Sequence, residues 1–307
     1  MEKEIKVRVP ATVANLVSGF DVLGMAICEP FDEIFLRKCT TPGIKITHTD
    51  NFGLPTEANQ NVAGVSLMAM TKAIGNMQGG WEIEIHKHIK PGSGLGSSAA
   101  SAAGTVFAAN SLLGNPFTLQ QLVPFAMEGE KLASGAAHAD NIAPCLFGGV
   151  TLIRPDGNAE IIQLTSPDIF VVVLHPQIEL KTADARNVLP KEISIKDAVR
   201  QFGNVGALVA GICTNSPALM AKGMIDLVAE PYRKKFIPLF DEMKHAALSA
   251  GAIGGGISGS GPSVFMICEN RQVAVTVEIA MHKKFESLKI PFHTYLTRIQ
   301  TKGIEIL

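Results

Sequence analysis

Charge is scarce in this chain. Of its 307 residues only 18% are Asp, Glu, Lys or Arg, against 47% hydrophobic, a balance that excludes a disordered chain and favours a packed, enzyme-like globule. Neither sign of charge dominates: formal net charge is −1, with Lys and Arg spread along the sequence. That excludes a nucleic-acid surface and a polybasic membrane patch, and leaves a small molecule as the expected partner. Cysteines are few as well. Cys28, Cys39, Cys145, Cys213 and Cys268 stand far apart in apolar contexts, without CxxC or a Cys/His cluster, so neither a disulfide framework nor a thiolate metal cage is expected, and they read as buried thiols of a reducing compartment. The N-terminal Met1-Glu2-Lys3-Glu4-Ile5-Lys6 carries charges where a signal peptide needs an apolar run, so the expected location is cytoplasmic.

One absence is local. No charged residue occurs between Pro91 and Met127, which raises the question of a membrane span. The helical part of that stretch is rich in Ala, Ser, Gly, Thr and Asn, too weakly apolar for lipid, and is expected to be a buried helix.

Length suits two α+β domains sharing an interface, placed at residues 1–165 and 166–307. Alternation predicts a strand at residues 5–9, ended by Pro10, and short strands at 33–37, 44–47 and 81–86, with a helix over 61–75. A helix over 118–134 opens on a Thr-x-x-Gln capping box. Later strands are predicted at 149–154, 169–174, 263–268 and 291–296, and helices around 195–214, 216–228, 237–249 and 273–285. Residues 251–261 read as a Gly-rich structural turn.

Between the strand at 81–86 and the charge-free helix lies Pro91-Gly92-Ser93-Gly94-Leu95-Gly96-Ser97-Ser98. Three glycines at alternate positions let successive N–H groups converge on an anion, and the following helix points its positive end at the same place. The loop is predicted to cradle phosphate. It lacks the Gly-Lys-Ser/Thr ending of a Walker A motif, so triphosphate charge must be met by the helix end, a metal ion and groups from elsewhere. Mg2+ is therefore expected. Ser98 offers a hydroxyl and Glu130, on the next helix, a carboxylate, a set suited to a hard cation that keeps several waters.

Three segments carry a resemblance. Val9-Pro10-Ala11-Thr12-Val13-Ala14-Asn15-Leu16 with Gly19-Phe20-Asp21, then Pro91 through Ser98 with Ala99-Ala100-Ser101, then Ile257-Ser258-Gly259-Ser260-Gly261-Pro262-Ser263, resemble in order and spacing the three motifs of the GHMP kinases. The resemblance covers nearly the whole chain. It implies an N-terminal domain like that of ribosomal protein S5, containing a left-handed βαβ crossover, and a C-terminal ferredoxin-like domain, with the site in the cleft between them. It implies ATP and Mg2+ as cofactors and places Asn61, Pro91, Gly92, Ser93, Gly94, Leu95, Gly96, Ser97, Ser98, Ala99, Ala100 and Ser101 with the nucleotide, and Ser98 and Glu130 with the metal. Family habit adds a possible homodimer.

Within the family, the segment from Asn15 to Asp21, His138-Ala139-Asp140-Asn141-Ile142-Ala143-Pro144, Thr182-Ala183-Asp184-Ala185-Arg186-Asn187-Val188-Leu189-Pro190 and Glu230-Pro231-Tyr232-Arg233 look like the substrate segments of the branch that phosphorylates L-homoserine. That resemblance implies Asn15, Asp21, His138, Arg186 and Arg233 as substrate contacts. Their chemistry agrees: Asp21 suits an ammonium, Arg186 and Arg233 a carboxylate held by paired donors, and Asn15 and His138 can orient the rest. Arg186, Asp140 and Asn141 are the candidates for catalysis. Some relatives place an Asp base where this chain puts Asn141, which cannot take a proton. Asp140 as base, or activation by orientation alone, both stay open. Two rival readings are a GHMP kinase for another small alcohol such as mevalonate, and a non-catalytic ATP-binding regulator. Taken singly, Asn15 would be a turn residue, Asp21 a helix cap, and Glu130 a solvated side chain beside Lys131.

Overall fold

In the computed structural model the described residues are 4–75, 79–157, 159–178, 180 and 182–307; Glu2 and Lys3 of the charged N-terminus and the side chains of Thr182 and Ala183 lie outside them. Apolar alternation produces the first strand, β1 (Glu4–Ala14), and Pro10 does not end it. The pairing of β1 with β2 (Leu23–Cys39) shifts register between Pro10 and Ala11, and such a bulge tolerates a residue without an N–H. β2 runs for 17 residues, far beyond the expected 33–37, because it pairs with β1, β4 (Gly80–His86) and β5 (Val150–Arg154) along its length. β3 (Gly43–His48) lies parallel to β4, with α1 (Val62–Ile74) crossing between them. β6 (Glu160–Leu164), which the sequence reading omits, pairs with β5.

α2 (Ser97–Leu112) and α4 (Ile142–Phe147) pack against this sheet, and α1 and α3 (Leu119–Ser134) pack together on the far side of α2. α2 is buried nearly all round, and its small residues are the reason. A Cβ on Gly104 would come within 2.5 Å of Ile34 Cδ1 and 2.6 Å of Val9 Cγ2. The capping box of α3 forms as expected between Thr118 and Gln121. No helix among the described residues is long and apolar enough to cross a membrane.

The second sheet is antiparallel, in the order β10 (Phe292–Arg298), β7 (Phe170–Pro176), β9 (Val264–Cys268), β8 (Gly254–Ile257). β8 occupies part of the stretch expected to be only a turn. Its glycines make room for neighbours: a Cβ on Gly255 would sit 2.1 Å from the Phe265 carbonyl oxygen, and one on Gly256 2.1 Å from Glu230 Oε2. α9 (Phe240–Ser249) and α10 (Arg271–Glu286) close a core of Val172, Leu174, Phe240, Met243, Met266 and Phe285. Linking β7 to α9 are α5 (Thr182–Asn187), α6 (Ile195–Cys213), α7 (Pro217–Gly223) and α8 (Glu230–Arg233). The helix expected over 216–228 stops at Gly223 because Asp226 takes over the chain, accepting the N–H groups of Val228, Ala229 and Glu230.

The strand at 292–298 is not the last. β11 (Glu305–Ile306) returns to pair with β1, and Gln300 exchanges backbone bonds with Ala26 and Gly149. The chain that leaves the second sheet is thereby tied back to the first.

Candidate active site

Gly92, Gly94 and Gly96 adopt φ of 73°, 79° and 72°, the left-handed conformation in which successive N–H groups turn to one side. Two of them are also required by close approach. A Cβ on Gly94 would lie 2.6 Å from the carbonyl oxygens of Ser258 and Gly261, and one on Gly96 2.0 Å from Thr12 Oγ1. Ser258 Oγ donates to the Gly94 carbonyl (2.6 Å), the Ser263 N–H to the Ser93 carbonyl (3.2 Å), and the Thr12 N–H to the Leu95 carbonyl (3.1 Å). The first and third motifs therefore hold the loop from two sides. Inside it, Ser93 Oγ accepts the Leu95 N–H and Ser97 Oγ donates to the Ile89 carbonyl. Leu95, Ala99, Ala100 and Ser101 are buried behind it. Gly96 stands at the N-cap of α2 without a side-chain cap, so the first N–H groups of that helix take no cap from their own chain.

Beneath the helix start lies a pair that the sequence reading missed. Lys87 Nζ is joined to Asp32 Oδ2 and also donates to the Ser97 carbonyl (2.8 Å) and Ser101 Oγ (3.2 Å). Asp32 Oδ1 accepts the N–H groups of His88 and Ile89. Both side chains are buried. Fifty-five residues separate them, and a lone lysine flanked by two histidines gives no local sign of a buried partner.

Ser98 Oγ donates to Glu130 Oε2 at 2.8 Å. Glu130 is 9% exposed, so it is no solvated surface carboxylate. Burial, only partly offset by bonds from Ser98 and Ser134, pushes its carboxyl up to about 7. A buried carboxyl beside a hydroxyl, with no cationic side chain bonded to it among the described residues, fits a divalent metal whose remaining ligands are water and phosphate.

Across the cleft, Asn15, Leu16, Val17 and Asp21 all take positive φ, a costly run for non-glycine residues. Asn15 helps hold it: Oδ1 accepts the Asp21 N–H (3.0 Å) and Nδ2 donates to the Gly259 carbonyl (3.1 Å). Asp21 Oδ2 accepts from Arg186 Nη2 at 2.8 Å and lies 3.5 Å from His138 Nδ1. Burial, with Arg186 and Arg233 nearby, lowers the His138 imidazole below its ordinary value despite Asp21. His138 Nε2 is buried with no hydrogen-bond partner among the described residues. Arg233 is locked by donating from Nε to the Ala185 carbonyl (3.0 Å) and from Nη1 to the Gly259 carbonyl (2.9 Å), and both guanidiniums approach the Phe20 ring. The fold thus gathers all five expected substrate contacts, in one respect differently than their chemistry suggested. Arg186, matched to an anion beside Arg233, is paired with Asp21 itself.

Asp140 and Asn141 part company. Asn141 Oδ1 accepts from Thr12 Oγ1 at 2.7 Å and would lie 3.0 Å from a Cβ on Gly96, so it faces the phosphate loop. Asp140 is 5% exposed. Burial, then the negative charges of Asp21 and Glu130, push its carboxyl up to about 8. Asn61 caps α1, its Oδ1 accepting the Ala63 N–H while Nδ2 bonds the Pro55 carbonyl and His48. Its side chain is committed to that loop.

Two family signatures match this chain: GHMP kinases N terminal domain over residues 61–149, and GHMP kinases C terminal over residues 208–287. A curated homoserine kinase of Chlorobium phaeovibrioides is 44% identical, over 99% of this chain and 100% of its own. The chain belongs to the homoserine kinase family of the GHMP kinases. A crystal structure of homoserine kinase from Cytophaga hutchinsonii superposes with a TM-score of 0.95 at 44% identity, covering 100% of this chain and 98% of that one. The homoserine kinase of Chlorobaculum tepidum is likewise 44% identical, over 90% of this chain and 89% of its own length. A mevalonate kinase structure from L. major shares the fold, with a TM-score of 0.72 at 15% identity. The expected architecture is therefore that of the GHMP kinase N- and C-terminal domains.

Proposed function

We propose that this chain transfers the γ-phosphoryl group of ATP to the hydroxyl of L-homoserine, giving O-phospho-L-homoserine and ADP. One observation carries the reading. The Ser258-Gly259 turn touches both halves of the site, holding Gly94 of the phosphate loop through Ser258 Oγ and receiving Asn15 and Arg233 on the Gly259 carbonyl. An acceptor held at Asp21 and the arginines is thereby set against a nucleotide held at the loop. On this reading residues 1–165 bring the phosphate loop and residues 166–307 bring the arginines.

The loop N–H groups and the α2 N-terminus take the phosphates. Ser98 and Glu130 would hold Mg2+, which when bound neutralises charge on the phosphates. Asp21 receives the substrate ammonium, Arg233 its carboxylate, and His138 Nε2 a polar group of the same molecule. Arg186, bonded to Asp21 through Nη2, has its other donors for the same carboxylate. Asp140 is largely protonated near neutral pH because its carboxyl is raised to about 8, so it is a weak base there, and Asn141 has no basic atom to offer. The hydroxyl is activated chiefly by orientation and proximity, losing its proton late in transfer.

A coupled ADP-release assay with L-homoserine, L-serine and mevalonate as acceptors tests the reading. The expected result is turnover selective for L-homoserine. ATP binding without ADP release on any acceptor would point to a regulator, and selective release with mevalonate to another branch of the family.

A further inference from the structure

α6 (Ile195–Cys213) turns one polar side chain into the molecule. Outward it carries the thiol of Cys213, exposed rather than buried as expected. Its inward positions are Ala198, Leu208, Gly211 and Ile212, together with Gln201, which is 6% exposed. A buried amide costs stability unless its donors and acceptor are bonded, and here all are. Nε2 donates to the Ser18 carbonyl (2.7 Å) and to Asp226 Oδ1 (2.9 Å), while Oε1 accepts the Leu227 N–H (2.9 Å). Ser18 and Asp226 are buried in turn, at 1% and 8% exposed, so water is a poor substitute for these bonds.

The two partners of that amide belong to the two arms of the acceptor site. Ser18 lies in the segment that carries Asn15 and Asp21. Asp226 accepts the N–H groups of Val228, Ala229 and Glu230, and so orients the start of α8, which ends on Arg233. Gln201 therefore clamps the turn that presents Asp21 to the helix that presents Arg233, across 183 residues on one side and 25 on the other. The same arms meet at the Gly259 carbonyl, which receives Asn15 Nδ2 and Arg233 Nη1. A single point of attachment would leave the arms free to pivot about it. Two points fix their angle, and a fully bonded buried network is the kind that fixes geometry.

We propose that Gln201 is a positioning residue for the acceptor, keeping the ammonium seat at Asp21 and the carboxylate seat at Arg233 at the separation of the two charges of one α-amino acid. The naming of those seats rests on the reaction proposed above; the clamp does not. Gln201→Met keeps the length of the side chain and removes all three bonds. In the ligand-free variant, hydrogen–deuterium exchange is expected to rise about tenfold at residues 15–21 and at residues 228–233 together, the scale of one lost buried bond, and to stay unchanged at residues 91–98. That measurement needs no acceptor, so it stands apart from the reaction. In turnover, kcat/KM for homoserine is expected to fall about 100-fold, the cost of a displacement of about 1 Å, chiefly through KM and with the KM for ATP unchanged. Gln201→Asn, one methylene too short to span both arms, gives the same pattern at smaller amplitude and serves where the methionine variant does not fold. Exchange raised at one arm only, exchange raised equally at residues 91–98, or KM values for ATP and homoserine rising together would each overturn the proposal.

Discussion

Around Gly94 the atoms that crowd the phosphate loop are the carbonyl oxygens of Ser258 and Gly261. Around Asp21 they are a guanidinium and an imidazole. Left-handed backbone occurs in both regions, but the loop is lined by backbone, whereas the Asp21 cluster is made of side chains drawn from segments as far apart as residues 21 and 186. The difference teaches how each half fails. A backbone cradle is insensitive to side-chain charge but intolerant of added atoms, whereas a side-chain cluster keeps its shape under small substitutions and loses function when a charge is removed. Glu130 belongs to the first half by position and to the second by chemistry, which makes it the most sensitive point.

Glu130→Gln is therefore expected to have the largest effect. It keeps the shape and the Ser98 bond but removes the buried negative charge proposed to hold the metal. A loss of about 10³ in kcat is expected, several kcal/mol of transition-state stabilisation, and single-turnover measurements over a range of Mg2+ concentrations would show it. Unchanged turnover would remove Glu130 from the metal site.

Gly94→Ala comes next. The added methyl meets two carbonyl oxygens at 2.6 Å and a φ of 79°, so the loop must shift. Displacement by about 1 Å in a positioned site costs about 100-fold in kcat/KM, and the loss should appear in ATP titrations. Asp21→Asn should be milder and of opposite selectivity. Asp21 is partly exposed, which dilutes its charge, so a loss of about 30-fold in kcat/KM for homoserine is expected, about 2 kcal/mol, with the KM for ATP unchanged. Equal losses for both substrates would erase the division between the two halves.

The same division explains what could be read from sequence. The glycine loop's conformation was legible because its determinants, three glycines and a following helix, are contiguous within residues 91–98. Ser98 and Glu130 could be named together because each lies on a predicted helix, and the structure joins them by a hydrogen bond. The acceptor residues were named by resemblance alone, and their mutual geometry was not legible. The Asp21–Arg186 pair joins positions 165 residues apart, and the Lys87–Asp32 strut leaves no periodic trace. Asp140 and Asn141 are adjacent, so only their environments separate them, Thr12 and Gly96 for one and the carboxyls of Asp21 and Glu130 for the other. Strand β8 was hidden because glycines chosen for close approach look like a turn, and β1 was cut short because the bulge that tolerates Pro10 depends on its partner strand.

The smallest expected effect is a pH dependence of stability, and it comes from the charged half alone. Asp140 and Glu130 have folded values raised to about 8 and about 7, from 3.8 and 4.5. Between the ordinary and raised values the folded state holds protons that the unfolded state has lost, so each carboxyl makes stability fall as pH rises through that window. His175, lowered to about 4 by burial and Lys90, and His138, also lowered, act in the opposite sense: each makes stability rise with pH up to about 6.5. Above pH 6.5 the unfolded imidazoles lose their remaining protons within about one unit, so their opposing contribution fades, and toward pH 8 only the two carboxyls of these four groups still act. The ligand-free chain should therefore lose stability between pH 6.5 and 8, by at most about 1.4 kcal/mol per pH unit for each titrating carboxyl. In Asp140→Asn that slope should shrink, most clearly near pH 8 where Glu130, raised to about 7, has largely lost its proton, while Gly94→Ala should leave it as steep as before. Urea unfolding at half-unit pH steps measures all three chains, and an unaltered slope in Asp140→Asn would show that burial does not hold the Asp140 carboxyl protonated.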